Sequence, residues 1–184
     1  MPRRKITDGE RSLLRRVFEE TLPYPKLEVA TNDHNIGGKT NSLTPEDVPY
    51  LSTTVWCADF SGPSVPKNDQ STFIHEFVHV WQHYHGVHKL VSAAWQFVRH
   101  VGDYDEAYWY DLADSNDLTD YNLEQQAAII EDFWRINSGL GILRNKGSVN
   151  SPEVYSRFAD QVRSAGPPHT PWGQRMEWVG PNVK

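Results

Sequence analysis

The sequence predicts a helix-dominated α+β domain with a small sheet. Apolar residues recur at helical spacing in five stretches, whereas only two short stretches have the alternation or the β-branched and aromatic content of strands. No internal repeat, low-complexity tract or linker interrupts the chain, and its 184 residues fit the roughly 100–200 residues of one domain. We therefore expect a single domain over residues 1–184.

The N-terminal half contains one predicted helix and both predicted strands. Thr7 and Glu10 form a capping-box pattern that predicts a helix over residues 8–21. Alternation predicts a short strand over residues 27–30, and the run LSTTVWCADF predicts a strand over residues 51–60. The second strand is either an ordinary member of a sheet or an edge along which an extended peptide lies.

The C-terminal half is predicted to be helical. A helix over residues 69–85 is ended by Gly86, and a second helix follows over residues 89–101. Asp120 is a suitable N-cap for a long helix that runs through Asn137. Ser151 and Pro152 begin a last helix that ends near Ser164, with serine as N-cap and proline at the first helical position.

Composition and charge exclude several classes of protein. A net charge of −6 and a pI near 5.7 argue against a dedicated nucleic-acid binder. No apolar run approaches the roughly 18–20 residues of a membrane span, and the N-terminal stretch lacks the apolar core of a signal peptide. The single cysteine, Cys57, excludes an intramolecular disulfide. Between Asp103 and Trp134 there are ten Asp or Glu and no Lys or Arg. This segment is either a solvated face or, if it rims a cleft, a feature that favours basic peptides and attracts the metal.

Residues 75–79, HEFVH, have the residue types and spacing of a zinc site. His75 and His79 lie one turn apart on one face of the predicted helix, so both imidazoles reach one Zn²⁺ at about 2.0–2.1 Å. Glu76 adjoins the first ligand and is positioned to take a proton from a metal-bound water. The other interpretation is that the two histidines are core residues and that the pattern arose by chance.

A hydrolytic zinc site needs a third protein ligand, and two residues compete for this role. His85 matches the metzincin-like spacing HExxHxxGxxH, but Gln82 replaces the glycine that turns the chain back toward the metal. Glu124 lies at the start of the long predicted helix in the pattern Glu-x-x-Ala, as the carboxylate ligand does in gluzincins, and the small Ala127 lets two helices approach closely. We favour Glu124, whose alternative role is to stabilise the helix N-terminus electrostatically.

Transition-state stabilisation requires a hydrogen-bond donor that faces the developing oxyanion. The candidates by residue type are Tyr108, Tyr110, Tyr121, His100 and His169. Tyr110 and Tyr121 rank first because they precede the helix that carries Glu124.

Two segments carry a family resemblance. HEFVHVWQ at residues 75–82, followed by YNLEQQAAIIEDFW at residues 121–134, resembles the metallopeptidase effector domains at the tails of type VI secretion spike (VgrG-type) proteins and in Rhs-linked polymorphic toxins. The resemblance implies a zincin-like fold with the HExxH motif on a central buried helix. It also implies a gluzincin-like zinc site with His75, His79 and Glu124 as ligands and Glu76 as general base.

The same resemblance implies a biological setting. The chain would be the C-terminal effector part of a larger secreted protein, exported without a signal peptide on a VgrG- or Rhs-type carrier. It would act in the periplasm of a rival bacterium, and a cognate immunity protein would protect the producer. The resulting hypothesis is a zinc metallopeptidase that cleaves a peptide or protein. The alternative is a non-catalytic, zinc-stabilised module that docks on a secretion apparatus.

Overall fold

The computed structural model describes residues 3–32, 41–86, 107–112, 117–149 and 151–168. These ranges contain a three-stranded sheet and four α-helices. In chain order the elements are β1 (Arg3–Lys5), α1 (Asp8–Phe18), β2 (Glu28–Thr31), β3 (Tyr50–Leu51), α2 (Lys67–Tyr84), α3 (Leu123–Asn137) and α4 (Pro152–Ser164). The predicted α+β class, with dominant helices and a small sheet, is confirmed. The helix predicted over residues 89–101 lies outside the described residues.

The sheet has β2 at its centre. Strand β1 pairs with β2 in the antiparallel direction, with Arg3 opposite Ala30, and β3 pairs with β2 in the parallel direction, with Ala30 opposite Tyr50. Beyond the sheet, Leu43 forms an antiparallel bridge with Tyr50 through hydrogen bonds of 3.0 and 2.8 Å. This bridge positions the segment that contains Thr44, which contacts the site described below.

The prediction of a strand over residues 51–60 is wrong, because strand β3 covers only Tyr50–Leu51. The backbone N–H groups of Val55 and Trp56 both donate to the carbonyl of Ser52, at 3.0 and 2.9 Å, and so form a turn. The hydroxyls of Ser52 and Thr54 also hydrogen-bond each other at 2.8 Å. Such local bonds of hydroxyl side chains compete with strand formation despite the β-branched composition. Residues 52–60 therefore do not form a strand edge along which an extended peptide could lie.

Helices α1 and α2 agree with the sequence pattern apart from their ends. The capping box of Thr7 and Glu10 is present, but α1 ends at Phe18 rather than near residue 21. Helix α2 begins at Lys67, two residues before the predicted start, and Gly86 follows its end with a φ of +83°, the left-handed conformation that glycine adopts readily.

Helix α3 begins later than predicted, because its N-cap is Asn122 rather than Asp120. The Asn122 side chain accepts a hydrogen bond from the backbone N–H of Gln125, whereas Asp120 belongs to a preceding 3₁₀ turn over Leu118–Asp120. The shift brings Glu124 into the first turn of α3. Helix α4 has the predicted bounds, Pro152–Ser164.

The core lies between the helices. Helix α2 packs against α3, α3 packs against α4, and α4 packs against α1. All twelve residues of α2 from Phe73 to Tyr84 are buried, so the polar side chains of the HExxH segment are enclosed together with apolar ones. Burial of polar groups costs free energy unless they are paired. The partners of the buried histidines and glutamate on α2 therefore indicate the role of this face of the helix. Within the described ranges no helix is both long enough and apolar enough to cross a membrane.

Candidate metal centre

Helix α2 presents His75 and His79 side by side on the face that meets α3. Their side chains are buried, with 7% and 8% of their surface exposed, and their ring centroids lie 5.1 Å apart. The i, i+4 spacing on one helix produces this arrangement directly.

Helix α3 contributes Glu124 from its first turn. Its Oε2 atom lies 3.5 Å from Nε2 of His75 and 3.2 Å from Nε2 of His79. The same atom is buried and accepts no hydrogen bond of regular geometry from the described residues. Ligand atoms bound at about 2.0–2.2 Å to a tetrahedral Zn²⁺ are separated by roughly 3.3–3.6 Å. The two distances from Glu124 Oε2 are therefore close to the edges of a zinc coordination sphere, and all three ligand atoms lie within 4.8 Å of one another.

The other nitrogen of each imidazole is already occupied. Nδ1 of His75 donates to the Glu131 carboxylate at 3.1 Å, and Nδ1 of His79 donates to Oε1 of Gln82 at 2.8 Å. The Gln82 amide is oriented by its own Nε2, which donates to the Leu123 carbonyl and to Gln126. Because both Nδ1 atoms act as donors, both Nε2 atoms, once deprotonated, can offer a lone pair to a metal ion bound between them and Glu124.

Glu76 lies beside this cluster and is buried, with 5% of its surface exposed. Its Oε2 accepts a 2.7 Å hydrogen bond from the Thr44 hydroxyl, on the segment fixed by the Leu43–Tyr50 bridge. Burial raises the pKa of the Glu76 carboxyl, and the nearby imidazoles and the Thr44 hydroxyl counter only part of that rise. A carboxyl with a raised pKa is better matched to accepting and returning a proton near neutral pH.

The charges within the cluster also shift the pKa values of its other members. Burial disfavours the charged form of His75, but the carboxylates of Glu124 and Glu131 outweigh burial and raise its pKa to about 10. Burial alone would raise the pKa of Glu124, yet the two histidines lower it far below its usual range. A metal ion that binds these atoms must therefore displace protons from the imidazoles.

Comparisons with known proteins place the chain in a family. No protein-family model matches the chain. The chain is 36% identical over 165 residues to the type VI secretion system spike protein VgrG2b of Pseudomonas aeruginosa, a match that covers 88% of this chain and 15% of VgrG2b. The solved structure of the VgrG2b effector domain matches at 32% identity and a TM-score of 0.65, over 85% of this chain and 82% of that domain. The chain belongs to the VgrG2b effector-domain family. It spans about 15% of the length of VgrG2b itself.

In this family member the candidate site opens into a cleft of about 270 Å³. His75 and Glu76 form part of its wall. The other lining residues are Asn41, Ser42, Val55, Thr72, Tyr108, Glu131, Leu143 and Arg144. The ring of Tyr108 lies 5.6 Å from that of His75, so an aromatic side chain adjoins the candidate metal ligands.

The structure brings together His75, Glu76, His79 and Glu124, but not His85. The His85 ring stacks on Trp81, and its Nε2 donates to the Thr21 carbonyl at 2.9 Å. This residue follows the last turn of α2, where the uninterrupted helix has carried it away from the cluster.

The hydroxyls of the two tyrosines that ranked first as oxyanion donors form hydrogen bonds with other parts of the protein. The Tyr110 hydroxyl donates to Asp132 at 2.6 Å and lies 3.0 Å from the Tyr155 hydroxyl, and the Tyr121 hydroxyl donates to the Asp111 carbonyl at 3.0 Å. Of the three tyrosines considered, Tyr108 is the one that lines the cleft. His100 and His169 lie outside the described residues.

Sequence reasoning missed the residues that orient the site. Glu131 lies seven residues after Glu124, which places both carboxylates on one face of α3 two turns apart, and this spacing was a usable signal. In the sequence pattern Gln82 stands out only because it replaces a glycine. Thr44 and Arg144 have no signal in the sequence, because their positions depend on how distant segments pack.

Proposed function

We propose that the chain is a zinc-dependent amide hydrolase, a gluzincin-like metallopeptidase, that acts as a secreted antibacterial effector. The observation that carries this proposal is the convergence of His75, His79 and Glu124 within 4.8 Å of one another, with the buried Glu76 carboxyl beside them. His75 and Glu76 both face the same cleft, so the cluster is accessible to a substrate.

The donor set supports Zn²⁺ as the metal. Two imidazole nitrogens and one carboxylate oxygen form a ligand set typical of catalytic zinc, where three protein ligands leave one position open. Structural zinc sites are closed by four protein ligands, and the described residues supply three at this point. The buried Glu76 carboxyl beside these three groups favours the hydrolase over a zinc-stabilised docking module, which has no use for a base. When bound, Zn²⁺ supplies Lewis-acid chemistry that acidifies water and polarises a carbonyl group.

Glu76 is the proposed general base. Its carboxylate accepts a proton from the attacking water and then donates that proton to the leaving amine. The Thr44 hydroxyl holds Oε2 of Glu76 at 2.7 Å, which keeps the carboxyl group in one orientation for both transfers. Glu131 and Gln82 hold the imidazole rings of His75 and His79, so that neither ring rotates away from the metal position.

The delivery route is inferred from the relative. VgrG2b is a type VI secretion system spike protein, and this chain is similar to its effector domain. We infer that this chain also reaches a neighbouring bacterium on a VgrG- or Rhs-type carrier, which requires no signal peptide. Cleavage of a peptide or protein in the recipient periplasm then requires a cognate immunity protein in the producing cell.

The substitution Glu76→Gln tests the reaction. Native and variant proteins, both loaded with zinc, are compared for cleavage of a diverse peptide mixture and for growth arrest when exported to the periplasm of a host. We expect equal zinc content, a loss of cleavage of about 10²–10⁴-fold, and restored growth.

A matched control is Glu153→Gln, which removes an exposed carboxylate from the first turn of α4 and should leave cleavage and growth arrest unchanged. A folded, zinc-loaded Glu76→Gln protein that still cleaves peptides would reject the hydrolase and favour the docking module. Growth arrest of equal strength from the cytoplasm would reject the periplasmic site of action.

A further inference from the structure

One side chain of the cleft lining is permanently cationic: Arg144. It lines the cleft together with Glu76 and Glu131, which are buried carboxylates, so it is not part of a general basic patch. None of the ion pairs among the described residues involves Arg144, whereas Arg4, Arg135 and Arg163 all have carboxylate partners.

The backbone at Arg144 is fixed by helix α3. Asp132, which is fully buried, accepts hydrogen bonds from the N–H of Leu143 at 2.7 Å and from the N–H of Arg144 at 3.1 Å. The Tyr110 hydroxyl donates to the same carboxylate, and the Tyr110 N–H donates to the Arg144 carbonyl at 3.2 Å. Because Asp132 directly follows Glu131, the helix that orients His75 also holds the backbone of Arg144 at the cleft.

Two aromatic rings hold the side chain. The guanidinium carbon of Arg144 lies 5.1 Å from the ring centroid of Tyr108 and 5.8 Å from that of Trp109. The Tyr108 ring in turn lies 5.6 Å from the His75 ring. The two distances together place the guanidinium carbon no more than about 11 Å from the His75 ring, a separation that about three residues of extended peptide cover at about 3.3 Å per residue.

A guanidinium held in this way is suited to a planar anion. Its N–H groups form a fork that matches both oxygens of a carboxylate, and stacking on rings leaves the edge of the fork available. On a wall that also contains Glu76 and Glu131, Arg144 supplies a positive charge that attracts a substrate carboxylate.

We propose that Arg144 forms a substrate subsite that binds a carboxylate close to the cleaved amide bond. The carboxylate is either an acidic side chain or the free C-terminus of the substrate. This inference rests on the proposed hydrolase and specifies its substrate class. It is opposite to the preference for basic peptides that the acidic sequence segment suggested.

The cleavage profile of the zinc-loaded chain on a diverse peptide mixture is the first test. We expect Asp or Glu, or the free C-terminal carboxylate, to be enriched at one fixed distance from the cleaved bond. Arg144→Gln should abolish this enrichment. The matched control is Lys146→Gln, which removes a cation 5.4 Å from the same Trp109 ring, two residues along the chain, and should preserve the enrichment.

Matched peptides then distinguish the two sources of the carboxylate. A peptide with Glu at the enriched position is compared with its Gln counterpart, and each is prepared with a free and an amidated C-terminus. For native protein we expect kcat/KM to be about tenfold higher for the peptide that carries the preferred carboxylate than for its neutral counterpart, because KM is lower. In Arg144→Gln this ratio should fall to near one. The dissociation constants of the same peptides from zinc-loaded Glu76→Gln protein should show the same ratio without turnover.

The outcomes separate the two proposals. Cleavage without any carboxylate preference, or a preference that survives Arg144→Gln, overturns the subsite and leaves the hydrolase intact. An equal fall in kcat for acidic and neutral peptides also overturns the subsite, because Arg144 would then stabilise the transition state of every substrate. The absence of cleavage by the zinc-loaded native chain rejects the hydrolase and the subsite together.

Discussion

The two imidazoles of the candidate metal centre are held by side chains of different charge. Glu131 is a buried carboxylate that also accepts a hydrogen bond from the Ser71 hydroxyl at 2.8 Å, so both of its oxygens are occupied. Gln82 is neutral, and it connects His79 to the backbone carbonyl of Leu123, the residue before Glu124. Gln82 therefore fixes the candidate ligand His79 relative to the start of α3, which carries the candidate ligand Glu124.

We therefore expect Gln82→Leu to weaken zinc binding. The substitution removes the acceptor for Nδ1 of His79 and both donors to α3, and the loss of such an orienting partner typically lowers metal affinity about 10–100-fold. Competition titration with a chromogenic chelator measures this change. Gln70→Leu on the same helix is the matched control, since the Gln70 side chain donates to the Phe60 carbonyl and does not contact the histidines. Native zinc affinity in Gln82→Leu would show that this hydrogen bond does not orient His79.

Residue type alone did not reveal which tyrosine lines the cleft. Tyr110 and Tyr121 precede the Glu124 helix in sequence, but both hydroxyls donate to acceptors in the supporting structure. The direction of a side chain depends on which buried acceptor is close by, here Asp132 for Tyr110, and a single sequence does not contain that information.

At the scale of elements, the site is the interface of α2 with the first turn of α3. The i, i+4 pair could be predicted because it depends on one helix alone. The position of Glu124 depends on where α3 begins, and this is set by the capping box of Asn122 and Gln125, whose two hydrogen bonds are 2.9 and 3.1 Å long. Glu124 is two residues beyond that cap, so fraying of the helix end would displace a candidate ligand.

Asn122→Ala should consequently lower both stability and zinc affinity. Loss of an N-cap hydrogen bond costs about 0.5–2 kcal/mol in the free energy of unfolding, measured by denaturant titration. Thr7→Ala is a matched control, because it removes the equivalent cap from α1, away from the site, and should cost a similar amount without changing zinc affinity. Equal zinc affinities of native and Asn122→Ala proteins would argue that the ligand does not depend on the cap.

The failed strand prediction has a comparable physical origin. Residues 51–60 have strand-forming composition, yet Ser52 and Thr54 form local hydrogen bonds and the chain turns directly after β3. Strand formation needs a partner, and β2 is paired with this segment only as far as Leu51. The pairing depends on the whole fold rather than on the composition of the segment.

For the whole molecule, the sequence was sufficient for the α+β class and for the motif that leads to the site. It was not sufficient for the environment of that site, which is assembled from the sheet edge at Thr44, helix α3 at Glu131 and the segment at Arg144. Thr44, which follows the Leu43 bridge, is 32 residues from Glu76 in the sequence. Glu131 and Arg144 are 56 and 69 residues from His75. Contacts of that sequence separation arise from packing and leave no local pattern.

The net negative charge of the molecule does not describe the charges that line the cleft. The net charge of −6 describes the chain as a whole, while the described cleft wall contains buried carboxylates beside a ring-held arginine. Global charge influences solubility and long-range attraction, whereas substrate preference is determined by the few groups that line the site.

Zinc content distinguishes the two candidates for the third ligand, Glu124 and His85. Native protein, Glu124→Ala and His85→Ala are loaded with Zn²⁺, dialysed against a weak chelator and analysed by plasma mass spectrometry. If Glu124 is the third ligand, native protein and His85→Ala retain about one zinc per chain and Glu124→Ala retains far less. Retention of one zinc with native affinity by Glu124→Ala, or its loss from a folded His85→Ala protein, would contradict the proposed metal centre.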